Sequence, residues 1–388
     1  MNDSSTPTAE QLSASLTMHP VEPHRIGVMI DLPGRKGCAD LFVEGLEIGF
    51  DEAVKRGWCD RPVELVVREY FAQPWGHGRK NIEMLDELVD EGVIGIAGPM
   101  TTDNALTVLP ELARVQIPSL TIAGTMEYKG DYAFSLPNGG MAEEPMVLAA
   151  YLKHRGFDRV AFLYESPSQI GEEYARYFRM AAAMYGVTIE AEAGVPPIPD
   201  ENTLVRALEK LRRADASALV YFGLGRLAGR LTHLLREVGW TPPRFTGAAF
   251  VGAAYTEMDA HRYEGWEGVD QVDEANPQLI ALREAYEHRH GVPMEWPTSV
   301  FTCAYDIARV MGIALGRMRI ATGQGLKAAL ETIARVPAAT GSEGTVIGFS
   351  PMDHRGFKGP DFLVIRRAEN GRNTFVCRGP TAFRPVES

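Results

Sequence analysis

The stretch GPMTTDN, Gly98 to Asn104, sets two threonines and an aspartate where an apolar run gives way to a helical pattern. Backbone N–H groups at such a joint lack helical partners and stand at the positive end of the helix dipole. Thr101 and Thr102 could therefore help to hold a ligand's carboxylate or phosphate, or they could simply cap the helix. Asp31 ends the first apolar run in a position that suits a cleft, with no partner visible in the sequence. GLGRLAG, Gly223 to Gly229, fits G-x-G-x-x-G/A at Gly223, Gly225 and Ala228. A dinucleotide site also needs an acid about 20 residues further on, at the end of the next strand. There the chain reads TGAAF.

The remaining titratable groups have plain explanations. Glu143 and Glu144 open a helix, where the dipole favours carboxylates. His288 and His290 point in different directions on one helix, beside Gly291 in its last turn, where a cation suits the helix end. The chain contains no G-x-x-x-x-G-K-[ST], no G-x-S-x-G and no H-E-x-x-H, so phosphate-loop, serine-elbow and zinc-protease chemistry are not indicated. Cys38, Cys59, Cys303 and Cys377 form no CxxC pair and read as free thiols, mostly buried. The residues offer a ligand site without catalytic groups, cofactor or metal.

The elements that must position this site follow from composition and periodicity. At 388 residues, 45% hydrophobic and 23% charged, the chain reads as a soluble protein of about two domains. A net charge of -12 works against a nucleic-acid partner, and no run is long and apolar enough to expect membrane insertion. Short apolar runs (RIGVMIDL, VELVVREY, VIGIAG, PSLTIAG) alternate with amphipathic stretches, and the pattern restarts with RVAFLYE, VTIEAEAG, SALVYFG and RFTGAAF. This is the signature of parallel sheets covered by helices on both faces. Pro110 is expected to bend or shorten the helix TDNALTVLPELARV. Three successive helical stretches and three short strands close the chain, which implies several crossings between two α/β halves. Ligands bind beyond the carboxyl ends of parallel strands. The predicted ends are 31–37, 98–103, 123–125, 165–171, 223–226 and 248–250.

The order and spacing of IGVMIDLPGRKGCADLFVEGLEIGFDEA, GVIGIAGPMTTDNALTVLPELARVQIPSLTIAGT, YAFSLPN, RVAFLYESPSQIGEEYARYF, YDIARVMGIAL and GTVIGFSPMDHRGFKGPDFLVI resemble the type I periplasmic binding protein superfamily, in its leucine/isoleucine/valine-binding branch. The resemblance spans about Arg25 to Val376. It implies an α/β fold of two doubly wound, Rossmann-like lobes with three crossovers, closing on a small molecule without chemical change. The expected division is a disordered tail over 1–24, a first lobe from 25–142 with 273–342, and a second from 143–272 with 343–388.

By the same resemblance, a ligand's carboxylate would meet Thr102, with Thr101 beside it, and Ala123, Gly124 and Thr125 at the next strand end. Gly225 lies at a strand end of the second lobe. Departures from the family pattern bear on the ligand. Ile170 stands where amino-acid binders carry a tyrosine, and Ala249, followed by Phe250, stands where they carry the acid that meets an ammonium group. An aromatic residue of the first loop is replaced by Cys38 or its neighbour. Burying an ammonium without a carboxylate is costly. With Tyr255, these residues imply a more apolar second lobe and an apolar or aromatic acid or amide as ligand, rather than a free α-amino acid. The implied partners are that small molecule and either an ABC permease or a regulatory protein. A cytoplasmic sensor is the alternative reading, and a nucleotide-dependent enzyme a remote one. The leader MNDSSTPTAEQLSASLTMHPVEPH has no positive start and no apolar core, so a cytoplasmic location is expected unless the start site is misassigned.

Overall fold

The computed structural model describes residues 21–31, 38–70, 77–225, 227–247, 260–294 and 298–380, with Cys38 and Ala260 described through the backbone alone. The expected tail 1–24 thus falls almost wholly outside the described residues. The first sheet is built from β1 (His24–Ile30), β2 (Val63–Glu69), β3 (Gly95–Ala97), β4 (Ser119–Thr121) and β5 (Ala133–Ser135). All pair in parallel, in the order β2-β1-β3-β4-β5. Six of the seven β1 residues are buried, as expected for a strand covered on both faces. The crossover helices are α1 (Cys38–Lys55), α2 (Arg79–Asp90) and α3 (Thr102–Val115).

The second sheet has the order β14-β13-β10-β9-β8-β6-β7. Its parallel part comprises β6 (Arg159–Glu165), β7 (Thr188–Val195), β8 (Ala218–Phe222), β9 (Arg244–Thr246) and β10 (Trp266–Asp270). The strands β13 (Val364–Glu369) and β14 (Arg372–Arg378) complete one edge antiparallel. The helices here are α4 (Glu143–His154), α5 (Gln169–Tyr185), α6 (Glu201–Arg212) and α7 (Leu227–Glu237). Between β10 and β13 the chain makes α8 (Pro277–His290), α9 (Ser299–Arg317), α10 (Gly323–Leu330) and the short pair β11 (Val336–Pro337) and β12 (Val346–Ile347). Helix α9 packs on α1 of the first sheet. Gly45 and Gly49 permit that approach, since a Cβ on either would come within 2.6 Å of the α9 backbone. The chain crosses between the sheets three times: before α4, after β10 and before β13.

Helix α9 is long and apolar enough to cross a membrane by length and composition, but 89% of that window is buried inside the fold. It is a core helix. The structure departs from the sequence expectation in three elements. Of the two effects expected of Pro110, shortening does not occur, since α3 runs on to Val115. The ring lies on the exposed face, while Ala105, Val108 and Leu112 bury the opposite one, so tertiary packing outweighs the lost hydrogen bond. Strands β5 and β10 were not anticipated. The first is three residues long, and the second reads WEGVD, with no apolar run to mark it.

Candidate ligand-binding cleft

The first lobe's strand ends are organised around Asp31, which is fully buried. Gly98 makes this possible. Its φ of 109° is open to glycine, and a Cβ there would lie 2.6 Å from the Met29 carbonyl oxygen. The chain can therefore turn across the end of β1 and aim its next groups at Asp31. The carboxylate accepts from Met100 N at 2.8 Å, Thr101 N at 3.0 Å, Thr101 Oγ1 at 2.5 Å and Asn104 Nδ2 at 2.8 Å. Asn81 Nδ2 in turn donates to Asn104 Oδ1 at 2.7 Å. Burial raises the Asp31 pKa, and the four hydrogen bonds offset only part of that rise. Asp31 is thus not partnerless: its carboxylate is the anion gathered at the start of α3. Thr101, not Thr102, occupies the capping position, and its hydroxyl serves Asp31 rather than a helical N–H. Thr102 is the first helical residue and is buried.

At the end of β4 the expected contacts are also engaged within the protein. Ala123 N donates to Thr121 Oγ1 at 2.9 Å. The Thr125 hydroxyl donates to Glu173 Oε2 at 2.6 Å and accepts from Glu127 N at 3.0 Å. Met126 N donates to Glu173 Oε1 at 2.8 Å. Glu173 lies on α5 of the second lobe, so these bonds join the lobes. Asp103 Oδ1 accepts from Gln169 N at 3.1 Å, bringing the starts of α3 and α5 together. Arg355 pairs with Glu143 at 2.9 Å and donates to the Thr125 carbonyl at 3.3 Å. Gly124 packs so closely on the 137–141 segment that a Cβ would lie 1.7 Å from the Gly139 oxygen. Gln271, just after β10, accepts from Gly139 N at 2.6 Å and donates to the Pro137 carbonyl at 2.7 Å.

The second lobe is more acidic than expected. Glu144, Glu165 and Glu173 are all buried. Tyr221 OH donates to Glu165 Oε1 at 2.5 Å, and Tyr174 OH to Glu144 Oε2 at 2.8 Å. Burial, reinforced by those carboxylates, holds both tyrosine hydroxyls well above their ordinary pKa, so they stay protonated donors. The expectation of a more apolar second lobe rests on Ile170, which is buried, and on Ala249, Phe250 and Tyr255, which lie outside the described residues. The buried glutamates come from helix starts and a strand end that helix-dipole reasoning treats as ordinary. The sequence signal that was available was an acid at the end of β6 and a Glu-Glu pair opening both α4 and α5. At Gly223, in the glycine-rich motif, a Cβ would lie 2.3 Å from the Glu165 carboxyl carbon. The glycine admits a carboxylate, which would repel a pyrophosphate. Gly225 has φ 76°, and its carbonyl accepts from Ala228 N at 3.2 Å.

Ile170 is buried at the start of α5. Cys38 opens α1, with its side chain undescribed, while Ala249, Phe250 and Tyr255 lie outside the described residues. Away from the cleft, His24, Cys59 and Asp60 bring one potential ligand atom each within 4.8 Å of one another. Arg61 already holds both Asp60 oxygens, at 3.2 and 2.9 Å, and its charge opposes a cation there. His290 Nε2 meets Glu44 Oε1 at 2.8 Å, a helix-to-helix contact.

Two parallel-sheet lobes, joined by three crossings and touching through their strand ends, define a two-lobed binding protein of the periplasmic type I architecture. Solved structures share it throughout. A branched-chain amino acid transporter substrate-binding protein, LivJ, from Streptococcus pneumoniae, in complex with isoleucine, is 18% identical with a TM-score of 0.76, over 92% of this chain and all of its own. An ABC transporter substrate-binding protein from Desulfitobacterium hafniense, in complex with Leu, is also 18% identical, with a TM-score of 0.74 over 92% of this chain and all of its own. A branched-chain amino acid ABC transporter protein from Thermus thermophilus, with bound valine, is 17% identical with a TM-score of 0.75, over 95% of this chain and all of its own. Among curated proteins, none matches by sequence. The periplasmic binding protein family matches residues 23–364, and the chain belongs to that family. It is a binding protein rather than an enzyme. The expected cytoplasmic location gains no support from this membership, whose description is periplasmic, and residues 1–20 of the leader are not described.

Proposed function

We propose that the chain is the substrate-binding component of an ABC-type transporter, acting in the periplasm or at the cell surface. It closes its lobes, 25–142 with 273–342 and 143–272 with 343–388, on a small organic ligand and presents the closed form to a permease. The observation that carries this reading is the buried contact of Thr125 and Met126 with Glu173, which joins the β4 end of one lobe to α5 of the other. The substrate-binding proteins of similar fold lend it further support. The cytoplasmic-sensor alternative draws on the composition of the leader, and nothing in the fold or the family adds to it.

The ligand we propose is an apolar or aromatic molecule with an acid or amide head group, held between Thr102 and Thr125. The sequence places Ala249 and Phe250, not an acid, after β9. A second reading, a free α-amino acid, is favoured by one feature. Glu144 Oε2 lies 2.3 Å from where a Cβ on Gly247 would stand, so α4 supplies a carboxylate to that same strand end. Calorimetry with leucine, 4-methylpentanoate and 4-methylpentanamide separates the two. Binding of the desamino compounds with weak or no binding of leucine is expected, and tight binding of leucine decides for the second reading.

A further inference from the structure

Thr125 is 1% exposed and Glu173 2%. Each Glu173 oxygen takes one donor: Oε2 the Thr125 hydroxyl at 2.6 Å, Oε1 the Met126 N–H at 2.8 Å. A hydroxyl and a neighbouring backbone N–H gripping the two oxygens of one carboxylate is the arrangement expected for an acidic ligand at a strand end. Here the protein supplies the acid. The cation facing Glu173 among the described residues is Arg176, whose Nη2 is 4.0 Å away, and its partly exposed guanidinium also reaches Glu127 at 3.3 Å.

We propose that Glu173 is an internal anion that occupies the head-group position at Thr125 and thereby sets the specificity of the cleft: the closed form prefers a ligand whose head group is uncharged there and binds the matching carboxylate more weakly. The proposal rests on the reading that Thr102 and Thr125 hold the head group between them. A ligand carboxylate at that place would meet the Glu173 carboxylate in a water-poor cleft, where like charges repel strongly and neither is hydrated. It would also find the Thr125 hydroxyl and the Met126 N–H already taken. An amide or another neutral polar group avoids the repulsion and still offers an acceptor and a donor. Glu173 makes its bonds across the lobes, so it stabilises closure and filters the ligand through one contact.

The test uses three matched pairs: 4-methylpentanoate and its amide, phenylacetate and its amide, and leucine and leucinamide. Each is titrated by calorimetry into the wild type, Glu173→Gln and Glu173→Ala, after thermal melts establish that the variants fold. Wild type is expected to favour the amide of a pair at least tenfold. Glu173→Gln keeps size and hydrogen-bonding capacity while removing the charge, and is expected to bring the ratio towards one. Glu173→Ala should do the same if the glutamine variant fails to fold. A merely structural Glu173 would alter both members of a pair alike. Equal binding of acid and amide by the wild type, or a ratio unchanged in the folded variants, overturns the proposal and leaves the transport reading standing. Preference for leucinamide over leucine that is lost in Glu173→Gln supports the proposal, even if the amine-free ligand class fails. Binding of no member of any pair overturns the proposal together with that ligand class.

Discussion

Two buried acids, Asp31 in the first lobe and Glu173 in the second, are satisfied in different ways. Asp31 draws all four of its donors from the first lobe: Met100, the Thr101 backbone and hydroxyl, and Asn104. Glu173 draws both of its donors, Thr125 and Met126, from across the cleft. In the proposed opening of the lobes the first arrangement stays complete, while the second is broken. A buried carboxylate is tolerable where donors replace its lost water. Asp31 is therefore part of the fold, and Glu173 part of the switch.

The strongest way to break this comparison is to remove each acid and follow stability and closure separately. Asp31→Ala leaves the Met100 and Thr101 N–H groups and the Thr101 hydroxyl without this acceptor and removes one acceptor of the Asn104 amide, which still donates to Thr101 Oγ1. It should cost roughly 3–5 kcal/mol of folding stability in urea unfolding, because each buried polar group left unmatched carries its own penalty. Thr125→Ala should change unfolding by less than about 1 kcal/mol, since water can reach Glu173 once the lobes part. Its effect belongs to closure, and small-angle scattering should show a larger radius of gyration than for the wild type. Equal folding losses in the two variants would erase the distinction.

A second pair of acids, one per lobe, sharpens the comparison through pH. Asp306 on α9 accepts from Ala339 N at 2.9 Å and Thr340 N at 2.8 Å, and Asp270 ends β10 with Arg366 Nε at 3.6 Å. Burial raises both pKa values to about 6, against the pull of Arg309 on the one and Arg366 on the other. Their pKa is lower in the unfolded chain, so between about pH 4 and pH 6 the folded protein holds more protons. Each group's contribution therefore falls as pH rises through that window. Asp306→Asn cannot titrate. The stability advantage of wild type over this variant should shrink by about 2–3 kcal/mol between pH 4 and pH 7, read from urea midpoints at intervals of one pH unit. A constant difference would mean that the backbone donors, not burial, set the charge of Asp306.

The difference between fold and switch also explains what was legible in the sequence. Helix α3 and strand β6 follow from local periodicity, and the limits expected from TDNALTVLPELARV and RVAFLYE coincide with those observed. The ends of β1, β3, β4, β6, β8 and β9 were readable for the same reason. The side-chain pairings there were not. Asp31 and Asn104 lie 73 positions apart, and Thr125 and Glu173 lie 48 apart, so no local pattern joins them. Glu144 reads as an ordinary acid at a helix start because the dipole explains an exposed carboxylate as well as a buried one. Only the packing of α4 and α5 against the opposite strand ends tells the two cases apart.

The smallest expected effect concerns the two adjacent threonines of GPMTTDN. If Thr101 is part of the fold, Thr101→Ala removes a 2.5 Å bond to Asp31 and an acceptor for Asn104 Nδ2 at 2.8 Å. A hydrogen bond to a charged group is worth roughly 1.5–3 kcal/mol, but Asp31 keeps three other donors, so a loss near the lower end, about 1.5 kcal/mol, is expected. Thr102 opens the helix without occupying the capping position, so Thr102→Ala should lose no more than about 0.5 kcal/mol of stability. Its cost should appear instead in ligand affinity, roughly ten- to a hundredfold if its hydroxyl meets the head group. Thermal melts and calorimetry on the two variants give opposite rank orders under this view. If Thr102→Ala were the less stable of the two while binding ligand as the wild type does, capping would belong to Thr102 and the first lobe would lose its assigned contact.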